Sequence, residues 1–153
     1  MPTAGAARAW DRENDFEVWP QVPTQTSEPP RNEELQTEIE KAKKILELTN
    51  DWDGQGAESY ASDTFDRAIT FLAAHSDFLK QFGLALPVPH IGAGPNGSID
   101  LHWKSASWEL LVNVPADMTK MASFYGDNYG VQKIKGSVDP KTCNPGLAAW
   151  LMN

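Results

Sequence analysis

The chain has 153 residues, about one domain by the usual size range, and its 41% hydrophobic residues, six Trp and six Phe among them, supply a core despite 22% charge. Twenty-one acids against 13 Lys and Arg give a net charge of −8, a field that repels phosphate backbones and argues against direct binding of DNA or RNA. A single cysteine, Cys143, excludes an intramolecular disulfide and a Cys-based zinc site, and with no Lys/Arg-led apolar opening and no long apolar run, a soluble protein of a reducing cytoplasm is expected, with neither leader nor membrane span.

The acidity is uneven. Residues 1–100 carry 17 acids against 8 Lys/Arg, whereas residues 101–153 carry 4 against 5. Residues 1–32 hold Pro2, Pro20, Pro23, Pro29 and Pro30, a spacing that forbids a long helix and predicts an extended or partly disordered arm. Within it, AWDRENDFEVW sets Trp10, Phe16 and Trp19 among Asp11, Glu13, Asp15 and Glu17. Aromatics in an acidic arm suit docking, either to a partner or back onto the chain's own core.

Residues 33–153 are expected to form one α+β domain. Asn32 reads as the cap of a first helix with Glu33 and Glu34 at the positive end of its dipole. Leu35, Ile39, Ala42, Leu46 and Thr49 then form one apolar stripe, with Lys41, Lys43 and Lys44 beside it to pair with Glu38, Glu40 and Glu47. A second helix is expected from a Ser62 cap, burying Phe65, Ala68, Ile69, Leu72 and Ala73 and stopping before Gly83.

After Pro87 the period changes to two. VPHIGA reads as a short edge strand where prolines are tolerated, and Asn96-Gly97 signals a type I′ hairpin turn. In SIDLHW, Ile99, Leu101 and Trp103 share one face, and in SWELLVNV, Trp108, Leu110, Val112 and Val114 do the same. TKMASFYG and NYGVQKIKG continue the series, and PGLAAWLMN closes it as a helical turn that packs Leu147, Trp150 and Leu151. The expectation is two helices covering one face of a three- or four-stranded antiparallel meander.

NDWDGQGAES, between the helices, offers two readings. Asp51, Asp53 and Glu58 present oxygen ligands suited to a hard cation. Counted from Asp51, however, the fifth, sixth and twelfth positions are Gln55, Gly56 and Ser62, which departs from the EF-hand register. A phosphate loop fits less well, because Gly54-Gln55-Gly56 follows a helix and lacks a nearby cation. As a connector, the segment uses Gly54 and Gly56 for left-handed backbone, Asp53 to accept backbone N–H groups and Trp52 to plug the gap between helices.

The segments WDGQGAES, SDTFDRAITFLAAH and PVPHIGAGPNGSIDLHW, in that order, resemble a group of short bacterial proteins of uncharacterised activity. In that group a WDG-x-GA turn precedes a helix and a hairpin of PNG-x-I-x-L-x-W type. The resemblance covers roughly residues 46–114 and implies a shared fold and no catalytic residues. By analogy, small modules of that kind are accessory, immunity or antitoxin-like proteins.

The three histidines, His75, His90 and His102, stand at no metal-ligand spacing and read as surface or half-buried residues. His102 and Asp100 share one strand face, half of an acid-base pair with no nucleophile beside it. Cys143 has only Lys141 as a nearby cation and reads as incidental. Phe124, Tyr125 and Tyr129 lack the clustered cations of a nucleic-acid stacking surface.

Together these features point to a non-enzymatic protein, without cofactor or metal, that binds and neutralises a basic protein or a nucleic-acid-binding complex as a monomer or homodimer. Trp10, Phe16 and Trp19 are the expected anchors, with Glu33, Glu34, Glu38, Asp51, Asp53 and Glu58 as the charged surround. The alternatives are a small metal-dependent enzyme or cation-binding protein built on the Asp51–Glu58 loop, and a structural protein that assembles through its sheet edge.

Overall fold

The structure, a computed structural model, describes residues 30–152. Trp10, Phe16 and Trp19, with all of the expected arm up to residue 29, lie outside the described residues.

Helix α1 spans Pro30–Ala42, so Asn32 falls inside the first turn and is not its cap. Proline suits this position because first-turn N–H groups have no helical acceptor. The chain then tightens into a 3-10 stretch, Lys43–Glu47. At three residues per turn the buried row steps from Ala42 to Ile45, and the expected Leu46 and Thr49 are displaced from it: Leu46 is half-buried and Thr49 exposed.

Helix α2 spans Ser62–Lys80. Its cap is Ala61, extended at φ −87° and ψ 143°, which moves the expected cap Ser62 to the first helical position. The buried face is Phe65, Ala68, Phe71, Leu72, His75 and Leu79, with Thr64 and Arg67 at its margin. Of the expected face, Ile69 is half-buried and Ala73 exposed. The chain leaves this helix through Gly83, at φ +71°.

Five strands follow where three or four were expected: β1 His90–Ala93, β2 Ile99–Lys104, β3 Glu109–Val114, β4 Ala122–Asp127 and β5 Lys133–Val138. They form an antiparallel sheet in chain order, so the α+β class holds. Weakly patterned HIGA and KIKGSV both pair fully with their neighbours. Ile99, Leu101, Trp103, Leu110, Val112 and Val114 are all essentially buried. Alternation turns Asp100, His102, Glu109, Leu111 and Asn113 to the other face, where they are half-buried.

A third helix, α3, spans Pro145–Leu151 and buries Leu147, Ala148, Trp150 and Leu151. The Asn144 carboxamide oxygen caps it, accepting the N–H groups of Gly146 at 2.8 Å and Leu147 at 3.2 Å. Helix α2 contacts β2, β3 and α3. Buried residues from the three helices and the inward sheet face make one hydrophobic cluster.

Candidate functional site

The first turn of α1 exposes Glu33 and Glu34, and Glu40 and Glu47 are exposed further along the same run. Leu35, Ile39, Ala42 and Ile45 are buried on the opposite side, so burial of the apolar stripe is what turns these acids to solvent. Glu40 is 3.0 Å from Lys43, an exposed i,i+3 pair of small stabilising value. Glu38 is used differently. Its carboxylate accepts the Ile91 N–H at 3.1 Å and stands 3.8 Å from His90 Nδ1, tying α1 to the edge strand.

In the loop after α1, Asp51 adopts φ +62°, a left-handed conformation that Asp tolerates better than most residues. Gly54 and Gly56 take φ +73° and +84°, as the connector reading requires. The Asp51 carboxylate accepts the Gly56 N–H at 2.6 Å. That of Asp53 accepts the N–H groups of Gln55 at 2.8 Å and Ala57 at 3.2 Å. Asn50 Oδ1 receives the Ser59 N–H, and the Asp51 N–H reaches the Ala57 carbonyl. Loop backbone thus engages Oδ1 of both Asp51 and Asp53. Among the described residues no group of three or more His, Cys, Asp or Glu side chains is arranged to hold a metal ion.

Trp52 does not plug the gap between the helices. It is 41% exposed, donates from Nε1 to the Glu58 carbonyl at 3.2 Å, and sits 6.3 Å from the Tyr60 ring. It clasps the loop from outside.

The end of the WDGQGAES segment and the PNG turn meet in space. The buried Tyr60 hydroxyl donates to the Gly94 carbonyl at 2.8 Å, and a side chain at Gly97 would press on the Ser59 carbonyl at 3.3 Å and Glu58 Oε1 at 3.5 Å. Asn96 and Gly97 have φ +57° and +76°, and the Pro95 carbonyl accepts the Ser98 N–H, the type I′ geometry expected from Asn-Gly. Asn113 Nδ2 donates to Ser98 Oγ and Asp100 Oδ1 beneath that turn. A Cβ at Gly94 would collide with the same Ser98 and Asp100 oxygens, so this glycine is required by close approach. The two motifs are two halves of one joint.

Asp100 is therefore engaged with Asn113, and His102 pairs instead with Glu109 across the β2–β3 ladder, both about one-third exposed. His75, expected at or near the surface, is fully buried. It stacks on Phe71 with ring centroids 4.1 Å apart, Nδ1 donating to the Phe71 carbonyl at 2.9 Å and Nε2 accepting the Asn144 N–H at 3.2 Å. Desolvation holds its pKa below the ordinary histidine value, outweighing the Phe71 bond. Burial pushes the Cys143 thiol up, away from the thiolate that nucleophilic chemistry needs.

Arg67 was missed in the sequence, although it lies three residues after Thr64 and four before Phe71 on the buried side of α2. Only 8% exposed, it donates to the carbonyls of Pro115 at 2.9 Å and Lys120 at 2.6 Å and fastens the β3–β4 connection to α2. No helix among the described residues is long and apolar enough to cross a membrane.

No family model matches this chain, and comparison with curated proteins and with solved structures likewise gives no match.

Proposed function

We propose that the chain is a non-enzymatic acidic module that binds a basic protein target and neutralises it, as antitoxin, immunity or anti-defence inhibitors do. The observation that carries this reading is the exposure of Glu33, Glu34 and Glu40 on α1 and of Glu47 on the 3-10 stretch after it, interleaved with exposed Lys41, Lys43 and Lys44, in a chain of net charge −8. Such a surface steers a cationic partner and makes association sensitive to salt. Trp10, Phe16 and Trp19 are the proposed apolar anchors, since buried aromatic anchors supply most of the affinity at interfaces. Glu58 joins the surround, while Asp51 and Asp53 contribute charge from a loop whose shape they also maintain. Glu38 contributes less, because it is bound to Ile91. The proposed partner is protein and not nucleic acid, and the proposed compartment is cytoplasmic.

The test is capture of partners from host lysate at low and high salt by three baits: the whole chain, a chain lacking residues 1–32, and one carrying Glu33→Lys, Glu34→Lys, Glu40→Lys and Glu47→Lys. A basic protein held by the whole chain, released by salt and lost with the charge-reversed bait, supports the reading. Equal capture by the charge-reversed bait would remove the acidic face from the interface, and undiminished capture after Trp10→Ala, Phe16→Ala and Trp19→Ala would remove the anchors.

A further inference from the structure

The last strand offers a second surface of opposite charge. Among the described residues the sheet ends at β5. The Asn128 N–H donates to the Gln132 carbonyl, which makes 128 and 132 a hydrogen-bonded pair. In an antiparallel ladder such pairs alternate with non-bonded ones. Following the register, Gly126–Ile134, Phe124–Gly136 and Ala122–Val138 exchange bonds, and the backbone groups of Lys133, Lys135 and Ser137 point away from β4. These outward N–H and C=O groups form a row to which another strand can add.

Beside that row lies an open groove of about 780 Å³, whose apolar wall is Phe124, Ile134, Leu147 and Trp150 and whose charged lining residues are Lys133 and Lys135. No acid lines it. Two glycines pack against its lining residues: a Cβ at Gly126 would meet Ile134 at 2.8 Å and Trp150 at 3.1 Å, and one at Gly136 would meet Phe124 at 3.0 Å. At the adjoining hairpin tip Val131 is 86% exposed.

We propose that the β5 edge binds an extended acidic peptide, which adds as a sixth strand. The peptide's chemistry follows from the pleat. Every second side chain falls on the groove side, beside Ile134 and Phe124, and those between fall beside Lys133 and Lys135, so the recognised segment alternates apolar residues with Asp or Glu. A second copy of this chain is the poorer occupant, because pairing two β5 edges sets lysines against lysines. The proposal is independent of the acidic face of α1.

The probe is a fluorescent heptapeptide alternating Glu with Val, read by anisotropy against the full chain, beside a control with Lys in place of Glu. Saturable binding of the Glu peptide is expected, with slowed hydrogen exchange at the amides of Lys133, Lys135 and Ser137. Lys133→Glu with Lys135→Glu is expected to weaken it about tenfold, since two exposed charge pairs of modest strength are reversed. Ser137→Pro removes an outward N–H without a ladder bond and is expected to weaken binding at an unchanged melting temperature. If that variant melts lower, the lysine variant, whose changed side chains are exposed, decides alone. The proposal is overturned by no saturable binding at millimolar peptide, by equal binding of the Lys peptide, or by binding without protection of those three amides. Concentration-dependent dimers that protect the amides without peptide would overturn it in favour of self-pairing.

Discussion

Across β2 and β3 the inward side chains Ile99, Leu101, Leu110, Val112 and Val114 are completely covered, whereas on β4 and β5 the same alternation buries Ala122 and Val138 but leaves Phe124 and Ile134 half-buried and Gly136 exposed. The strands do not differ in length, as all four have six residues. The helices do: α2 has 19 residues and α3 has seven, or roughly 28 and 10 Å at the α-helical rise. The sealed half of the sheet is a core, and the other half keeps both an edge and a groove. Coverage by helices, more than strand propensity, decides which half supports stability and which remains able to bind.

The sharpest way to break that comparison is to truncate one residue on each side. Leu101→Ala is expected to lower unfolding free energy by about 2–5 kcal/mol, the range for fully buried leucines, and Ile134→Ala by about 1 kcal/mol for its smaller covered area. Equal losses in urea titrations would erase the distinction. Arg67→Ala removes the buried donor to Pro115 and Lys120 and is expected to cost about 3 kcal/mol, since it strands carbonyls that had a charged partner. Chemical denaturation of the variant measures it.

Gly126→Ala probes the boundary between the halves. Its methyl group would press on Ile134 and Trp150, with an expected loss of about 1–3 kcal/mol typical of overpacking. A neutral result by thermal melt would show that the groove wall yields freely. The smallest effect concerns pH. Burial depresses the folded pKa of His75 below the unfolded value of 6.5, so the unfolded state binds the extra proton first and stability falls as pH drops from about 6.5 through the folded value. Above that window the contribution is fully present. Comparing wild type with His75→Gln between pH 7.5 and 5 should show the steeper loss of stability in the wild type.

The β2 and β3 faces were legible because period two is a property of the strand backbone: Ile99, Leu101 and Trp103 could only fall together. The glycine-rich loop was legible too, since Gly54, Gly56 and Asp53 have few other uses between helices. The strand count was not. VPHIGA and NYGVQKIKG read as strands, yet they alternate so weakly that counting both in one five-stranded sheet needs their ladder partners. The slip from Leu46 to Ile45 arises because a 3-10 turn changes the period within a helix, and the Ser62 cap failed because its neighbour Ala61 takes the extended conformation instead. Of the proposed site, the acids of α1 were readable as an exposed face. That Glu38 binds Ile91 was not, because this bond joins elements distant in the sequence.

Pairing in chain order has a further consequence for folding kinetics. Each strand meets its neighbour through a short connection, so the entropy of loop closure in the meander is low. The long closures belong to the helices and the loop between them: Tyr60 to Gly94 over 34 residues, Glu38 to Ile91 and Arg67 to Lys120 over 53, and His75 to Asn144 over 69. Low contact order in the meander predicts early hairpins, with the helix contacts forming last. Changes at His75 or Arg67 would accelerate unfolding more than they slow the first hairpins.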